Sequence, residues 1–225
     1  MNRCAERKQD IVIDQLVYCS TTVYLVRHGE SQLNLAQRVS GQLNTPLSPD
    51  GHRFSQVLSE QLRNVLFTGI HTSALRRTID TARPTAAVHG LPIQSHAALN
   101  EQHFGVLEGR FRDERDPEAR ALWNVRLQDK RFYRIPGGER FIDLAERVKD
   151  ALRDILTHEV GGTILIVAHR NTNRALFGLL MCLPEDQWPH VTLKRHSVYC
   201  ITTGYQPQLT TLAIKSKQAE LLPTA

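Results

Sequence analysis

Thr22-Val23-Tyr24-Leu25-Val26-Arg27-His28-Gly29-Glu30 is the stretch on which the fold turns. Its first five residues form an apolar run rich in β-branched and aromatic side chains, the composition of a buried strand. The run stops at Arg27-His28-Gly29-Glu30, so a polar loop follows the strand's C-terminal end. Downstream, Ser48-Pro49 has the form of an N-cap with proline at the first helical position. Phe54, Val57, Leu58, Leu62 and Val65 then recur at helical spacing.

The unit repeats in kind. Gly69 to Thr72 is strand-like, Leu75 to Val88 helix-like, and Leu91-Pro92-Ile93 opens another extended piece. Phe141, Leu144, Val148, Leu152, Ile155 and Leu156 mark one helical face. Thr163 to Ala168 is the clearest buried strand, with a helix beginning near Asn171. Alternating strands and helices predict an α/β fold of three layers, a mostly parallel sheet flanked by helices. Val198 to Thr203 and Leu209 to Ile214, separated by Gly204 and Pro207, predict a late hairpin at one sheet edge. Between Gly109 and Gly138 the pattern weakens into a charged segment with Trp123, Phe132 and Tyr133, read as a short lid insertion over 110–137.

One domain is expected over residues 22–215, flanked by a flexible N-terminal tail (1–21) and a C-terminal tail (216–225). The 225 residues are 41% hydrophobic and 23% charged, an ordinary soluble composition. A net charge of +5 and a pI near 9.2 favour anionic partners. Basic residues are scattered among acids rather than blocked together, which argues against nucleic acid. The four cysteines form no ligand spacing and read as reduced thiols. The N-terminal stretch is too interrupted for a signal segment, and Leu176 to Leu183 is too short to span a bilayer, so a cytoplasmic protein without membrane contact is expected.

In open α/β sheets ligands bind beyond the carboxyl ends of strands, and both Arg27-His28 and His169-Arg170 fall there. Arg27-His28-Gly29-Glu30-Ser31 with Asn34 resembles the signature of the histidine phosphatase superfamily, which includes cofactor-dependent phosphoglycerate mutases and many small-molecule phosphatases. The similarity continues in order through Ser40-Gly41-Gln42, Leu47-Ser48 with Gly51, and Ser73-Ala74-Leu75-Arg76-Arg77 with Thr81-Ala82. Leu99, Glu101, Gly105 and Gly109, then Pro136-Gly137-Gly138-Glu139 and Val167-Ala168-His169, complete it.

The resemblance implies a phosphatase that needs neither metal nor cofactor. Phosphoryl transfer requires an in-line nucleophile, cations around the peripheral oxygens and a proton for the leaving oxygen. A neutral imidazole attacks phosphorus if one nitrogen is free, the role implied for His28. Arg27 and Arg77 match the family's phosphate-holding arginines, the Ser-x-Leu-x-Arg spacing selecting Arg77 over Arg76. His169 matches the second histidine and Glu101 the proton donor. Asn34, Ser40 and Gly41 are implied first-loop contacts to substrate. Arg170 stands where many relatives carry glycine, which implies a more cationic pocket or a narrower entrance, and Arg140 stands where serine commonly follows the Pro-x-Gly-Glu motif, which leaves that edge of the site open.

The implied partner is a small phosphorylated metabolite whose identity stays open, as does the oligomeric state, a homodimer included. A phosphoglycerate mutase is the nearest alternative. Against it, the stretch from Glu101 to Glu139 is short for a mutase lid, and Lys130-Arg131-Phe132-Tyr133 only partly imitates the mutases' Arg-Arg motif. A non-catalytic phosphate-binding module is the alternative of another class. The absence of HExxH or paired Cys/His spacing argues against a metallohydrolase, and His71, His103 and His196 are read as structural.

Overall fold

The structure is a computed structural model in which residues 20–214 are described. The anticipated tails therefore lie outside the described residues, except for Ser20 and Thr21; Thr21 is buried, and its N–H donates to Thr203 Oγ1 at 3.0 Å.

Six strands form one sheet in the order β3-β2-β4-β1-β5-β6. They are β1 (Thr22–Arg27), β2 (Gly69–Ser73), β3 (Ile93–His96), β4 (Thr163–Ala168), β5 (Ser197–Thr202) and β6 (Gln208–Ala213). The first four run parallel, and β5 and β6 add an antiparallel edge with Val198 opposite Leu212. This is the mixed α/β sheet that the alternating pattern predicts, late hairpin included.

The period of two along the strands sorts side chains into two cores. Val23 and Leu25 of β1 join Ile164 and Ile166 of β4 under helices α5 (Phe141–His158) and α6 (Arg170–Leu180). Val26, Leu165 and Val167 face the opposite way, onto α2 (Pro49–Leu62) and α3 (Arg76–His89). Sheet and helices thus make three layers. A one-turn helix, α1 (Gln32–Leu35), lies in the first loop.

Local chemistry sets the helix ends. Ser48 caps α2, its Oγ accepting from Gly51 N at 3.1 Å, with Pro49 in the first turn. That helix stops at Leu62, so Val65, which fits the helical period, lies beyond it. Gly90, left-handed at φ +64°, closes α3. The 110–137 segment, where the sequence pattern weakens, contains a helix, α4 (Pro117–Gln128), capped by Asp116, whose side chain accepts from Ala119 N at 3.1 Å. Above it sits a small third core of Val39, Phe104, Leu107, Ala119 and Ile135. No helix of the described residues is long and apolar enough to cross a membrane.

The topology positions the site. β1 and β4 are parallel neighbours with Arg27 paired to Ala168, and the next backbone N–H, that of His28, donates to Ala168 O at 3.0 Å. Both strands therefore deliver a histidine, His28 and His169, to the same end of the sheet.

Candidate active site

His28 is 4% exposed, and its Nδ1 lies 2.6 Å from Gly29 O. A carbonyl only accepts, so Nδ1 carries the proton and Nε2 keeps its lone pair. The Gly29 N–H in turn donates to Thr81 Oγ1 at 3.0 Å, fixing the loop to α3. Burial, then the Arg77 and Arg27 guanidiniums, holds the His28 pKa well below the usual imidazole value, although the Gly29 carbonyl opposes this. The ring is neutral at physiological pH, the form a nucleophile needs.

His169, fully buried at the start of α6, stands with its ring centroid 5.0 Å from that of His28. Its Nε2 is 2.7 Å from Ser73 Oγ, which also meets Thr78 Oγ1 at 2.8 Å. Burial and the nearby Arg77, His28 and Arg27 lower its pKa well below the usual value too. The linkage has a definite sign. Both folded-state pKa values lie below the unfolded value of about 6.5, so the unfolded chain takes up protons first as pH falls. Stability is fully present above that pH and declines below it, by up to about 1.4 kcal/mol per pH unit for each histidine. Urea unfolding of wild type and His28→Asn between about pH 7 and pH 5 should therefore show the shallower decline in the variant; equal slopes would mean that His28 is not buried neutral.

Arg77 is fully buried, with Nη1 donating to Leu43 O at 2.8 Å and Nη2 to Gly41 O at 2.7 Å. Gly41 adopts φ +46°, and a Cβ there would run into the Glu108 carboxylate, so glycine is what lets this carbonyl reach the guanidinium. Burial lowers the Arg77 pKa to about 10, and burial with Arg195 as neighbour does the same for Arg27; both remain cationic at neutral pH. Arg27 Nε, Arg77 Nε and His169 Nδ1 are buried and meet no protein partner. Such orphaned groups cost free energy until a ligand meets them, and an oxyanion accepts from every N–H among them.

Glu101 is buried beside the first turn of α6: its Oε1 accepts from Gln102 N at 2.9 Å and Asn171 N at 3.2 Å. Its Oε2 has only a 3.4 Å approach from Asn171 N, which leaves it the freer oxygen. A cleft of about 290 Å³ opens in front of these groups, lined by Arg27, His28, Arg77 and Glu101 and, at the first loop, by Asn34, Ser40 and Gly41. Asn34 Nδ2 donates to Ser40 Oγ at 3.2 Å. Arg170, exposed on α6, forms part of the opposite wall. His169 packs beside His28, the two rings tilted by 59°. Among the described residues no three of His, Cys, Asp and Glu gather as a metal site.

Residues 23–214 match the family model described as histidine phosphatase superfamily (branch 1). The chain belongs to this superfamily. The probable phosphoglycerate mutase GpmB of Photorhabdus laumondii is 34% identical over 187 residues, 83% of this chain and 87% of that protein. Human 6-phosphofructo-2-kinase/fructose-2,6-bisphosphatase 4 is 30% identical over 207 residues, 90% of this chain but only 42% of that longer protein. Among solved structures, the alpha-ribazole phosphatase of Shigella flexneri superposes with a TM-score of 0.77 at 26% identity, covering 87% of this chain and 96% of that one.

Several groups at this histidine phosphatase site escaped the sequence reading. Ser73, which meets His169, opens the Ser-Ala-Leu-Arg-Arg stretch, and Thr78, bonded to Ser73, directly follows it, but their hydroxyls gave no signal of their own. Arg112, Trp123, Arg126, Lys130, Arg174 and Arg195 also line the cleft. The i, i+4 pair Arg170 and Arg174 was visible at helical spacing; the residues of and after α4 were not, because that helix was not recognised. Arg140 lies outside the cleft wall and caps α5 instead, its guanidinium on Asp143 at 2.6 Å.

Proposed function

We propose that this chain is a phosphatase hydrolysing a small phosphomonoester through a phosphohistidine on His28. The observation that carries the reading is the Nδ1 contact with Gly29 O, which leaves a buried, neutral Nε2 beside orphaned N–H donors. In the first step Nε2 attacks phosphorus, the bond to the ester oxygen breaks, and that oxygen leaves with the Glu101 proton. Water then attacks phosphorus and gives its proton to the Glu101 carboxylate. The N–P bond breaks, returning inorganic phosphate and free His28. Arg27, Arg77 and His169 hold the peripheral oxygens, whose charge they stabilise in a preorganised, low-dielectric setting. In this reading the 110–137 segment is the lid, and Asn34, Ser40, Gly41 and Arg170 contact the alcohol part of the substrate.

The positive field comes from side chains, so activity should survive exhaustive EDTA treatment, and vanadate should inhibit by occupying the oxyanion cradle. Activity lost on chelation and restored by zinc or magnesium would overturn the metal-independent reading.

The similarity to a probable phosphoglycerate mutase favours a second reading, in which the phosphoenzyme returns its phosphoryl group to a second hydroxyl. The two differ in product. Purified protein is presented with a panel of phosphometabolites, phosphoglycerates included, while free phosphate and isomer formation are both followed. Phosphate release without isomerisation identifies the phosphatase; isomerisation without net release identifies the mutase.

A further inference from the structure

Arg77 is anchored outside its own helix. Nη1 and Nη2 both donate to carbonyls of the first loop, Leu43 O and Gly41 O, while Nε is buried with no protein partner. The direction in which this guanidinium faces the cleft is therefore set by the loop, and loop carbonyls orient a side chain only as firmly as the loop itself is held.

The loop is held by Glu108, a residue outside the cleft wall whose side chain is 9% exposed. Its Oε1 accepts from Gln42 N at 2.9 Å and from Phe104 N at 2.9 Å, so one carboxylate oxygen joins the first loop to the 101–110 stretch. The chain is shaped to deliver that oxygen. A 3-10 turn, Gly105–Leu107, opens at Gly105 with φ +51°, where a Cβ would run into Pro136 O, and it returns Glu108 onto Phe104 N. The junction continues into the next residues, with Gly109 N donating to Val39 O at 2.8 Å and Val39 N to Arg110 O at 2.9 Å. Gly41 lies directly against the carboxylate, with no room for a Cβ between them.

Asp80 and Glu139, also little exposed, pair with arginines. Glu108 has no Lys or Arg partner among the described residues; only His103 Nε2, 4.0 Å from Oε1, comes within ion-pair range. Its close contacts are thus the backbone N–H groups, bonds that an ionised acceptor strengthens. The charge also reaches Arg77, whose cationic form Glu101 and then Glu108 support against burial.

We infer that Glu108 is a positioning residue for phosphoryl transfer: by gripping Gln42 N it fixes the Gly41 carbonyl, and through that carbonyl the direction in which Arg77 presents its guanidinium to the phosphoryl oxygens. The inference rests on the phosphatase reading of the site. Displacing a substrate-holding group by about 1 Å can cost about a hundredfold, so a carboxylate that never touches substrate can still govern the rate.

The test measures kcat/KM for p-nitrophenyl phosphate and the Kd of inorganic phosphate in the full chain. Wild type is compared with Glu108→Ala, Glu108→Asp, Glu108→Gln, Arg77→Lys and the double variant Glu108→Ala/Arg77→Lys, with thermal melts to verify folding. Glu108→Ala should lose about thirtyfold in kcat/KM and bind phosphate about tenfold more weakly. Glutamine keeps an oxygen within reach of both N–H groups, so Glu108→Gln should stay within about threefold of wild type. Aspartate keeps the charge but falls short of those groups, and should behave as alanine does. Lysine cannot take up the planar fork that the two carbonyls hold, so on the Arg77→Lys background Glu108→Ala should cost less than about threefold.

A loss that multiplies in full on that background, or a glutamine variant as weak as the alanine one, overturns the inference while the phosphatase reading stands. If the alanine variant does not fold, the aspartate variant takes its place in the cycle and is judged by the same ratios. If p-nitrophenyl phosphate is not turned over, phosphate binding decides alone. A wild type that neither hydrolyses a phosphomonoester nor binds phosphate removes the phosphatase reading, and the inference falls with it.

Discussion

His28→Ala will lose turnover by on the order of ten-thousandfold or more while keeping its fold, the scale on which removal of a nucleophile is felt. The side chain makes one hydrogen bond, to Gly29 O, and lines the cleft, so the variant enlarges the cleft rather than leaving a void in the hydrophobic cores. His169 is not expected to substitute: it is fully buried and its Nε2 is committed to Ser73. Rapid quench with labelled substrate should place acid-labile, base-stable phosphate on His28 of the wild type and none on the variant. Label on any other residue, or normal turnover by the folded variant, would remove His28 from the mechanism.

Glu101→Gln separates acid catalysis from substrate positioning. Proton donation matters most to a poor leaving group, so the variant should slow phosphoryl transfer from an alkyl phosphate by about a hundredfold or more and from an activated aryl phosphate far less. The amide oxygen can still accept from Gln102 N and Asn171 N, the bonds that hold the carboxylate, so the local backbone has no reason to shift. Equal slowing of both esters in rapid-quench measurements would mean that Glu101 is not the donor. His103 does not inherit the role by position, since it is absent from the cleft wall and its Nε2 lies 4.0 Å from Glu108 Oε1.

The sheet and its two histidines were readable because buried parallel strands are continuous apolar runs, and β1 and β4 each end abruptly in a polar pair. Helix α5 was equally plain, with Leu144, Val148, Leu152 and Ile155 on one buried face. Helix α4 was hidden for a physical reason. Its buried residues are Ala119 and Arg126, so the inner face that hydrophobic periodicity would detect includes a cation lying against aromatic rings. The Asp116-Pro117 start signal was of the same kind as Ser48-Pro49, but no apolar stripe followed it. Arg126, a cation of the cleft wall, went unread with that helix. Val65 failed in the opposite sense: it keeps the helical period after Leu62 although the helix has ended, because periodicity does not register where backbone hydrogen bonding stops.

The short contact between His28 Nδ1 and Gly29 O, 2.6 Å long, also dictates a regiochemistry. Imidazole can be phosphorylated on either nitrogen, and the two isomers are chemically distinct species that phosphorus NMR and isomer-selective antibodies tell apart. With Nδ1 capped by the backbone of its own neighbour, a phosphoryl group accepted by His28 resides on Nε2, as the 3-phosphohistidine isomer. The 1-isomer would require the loop to surrender that carbonyl and turn the ring over inside a buried pocket.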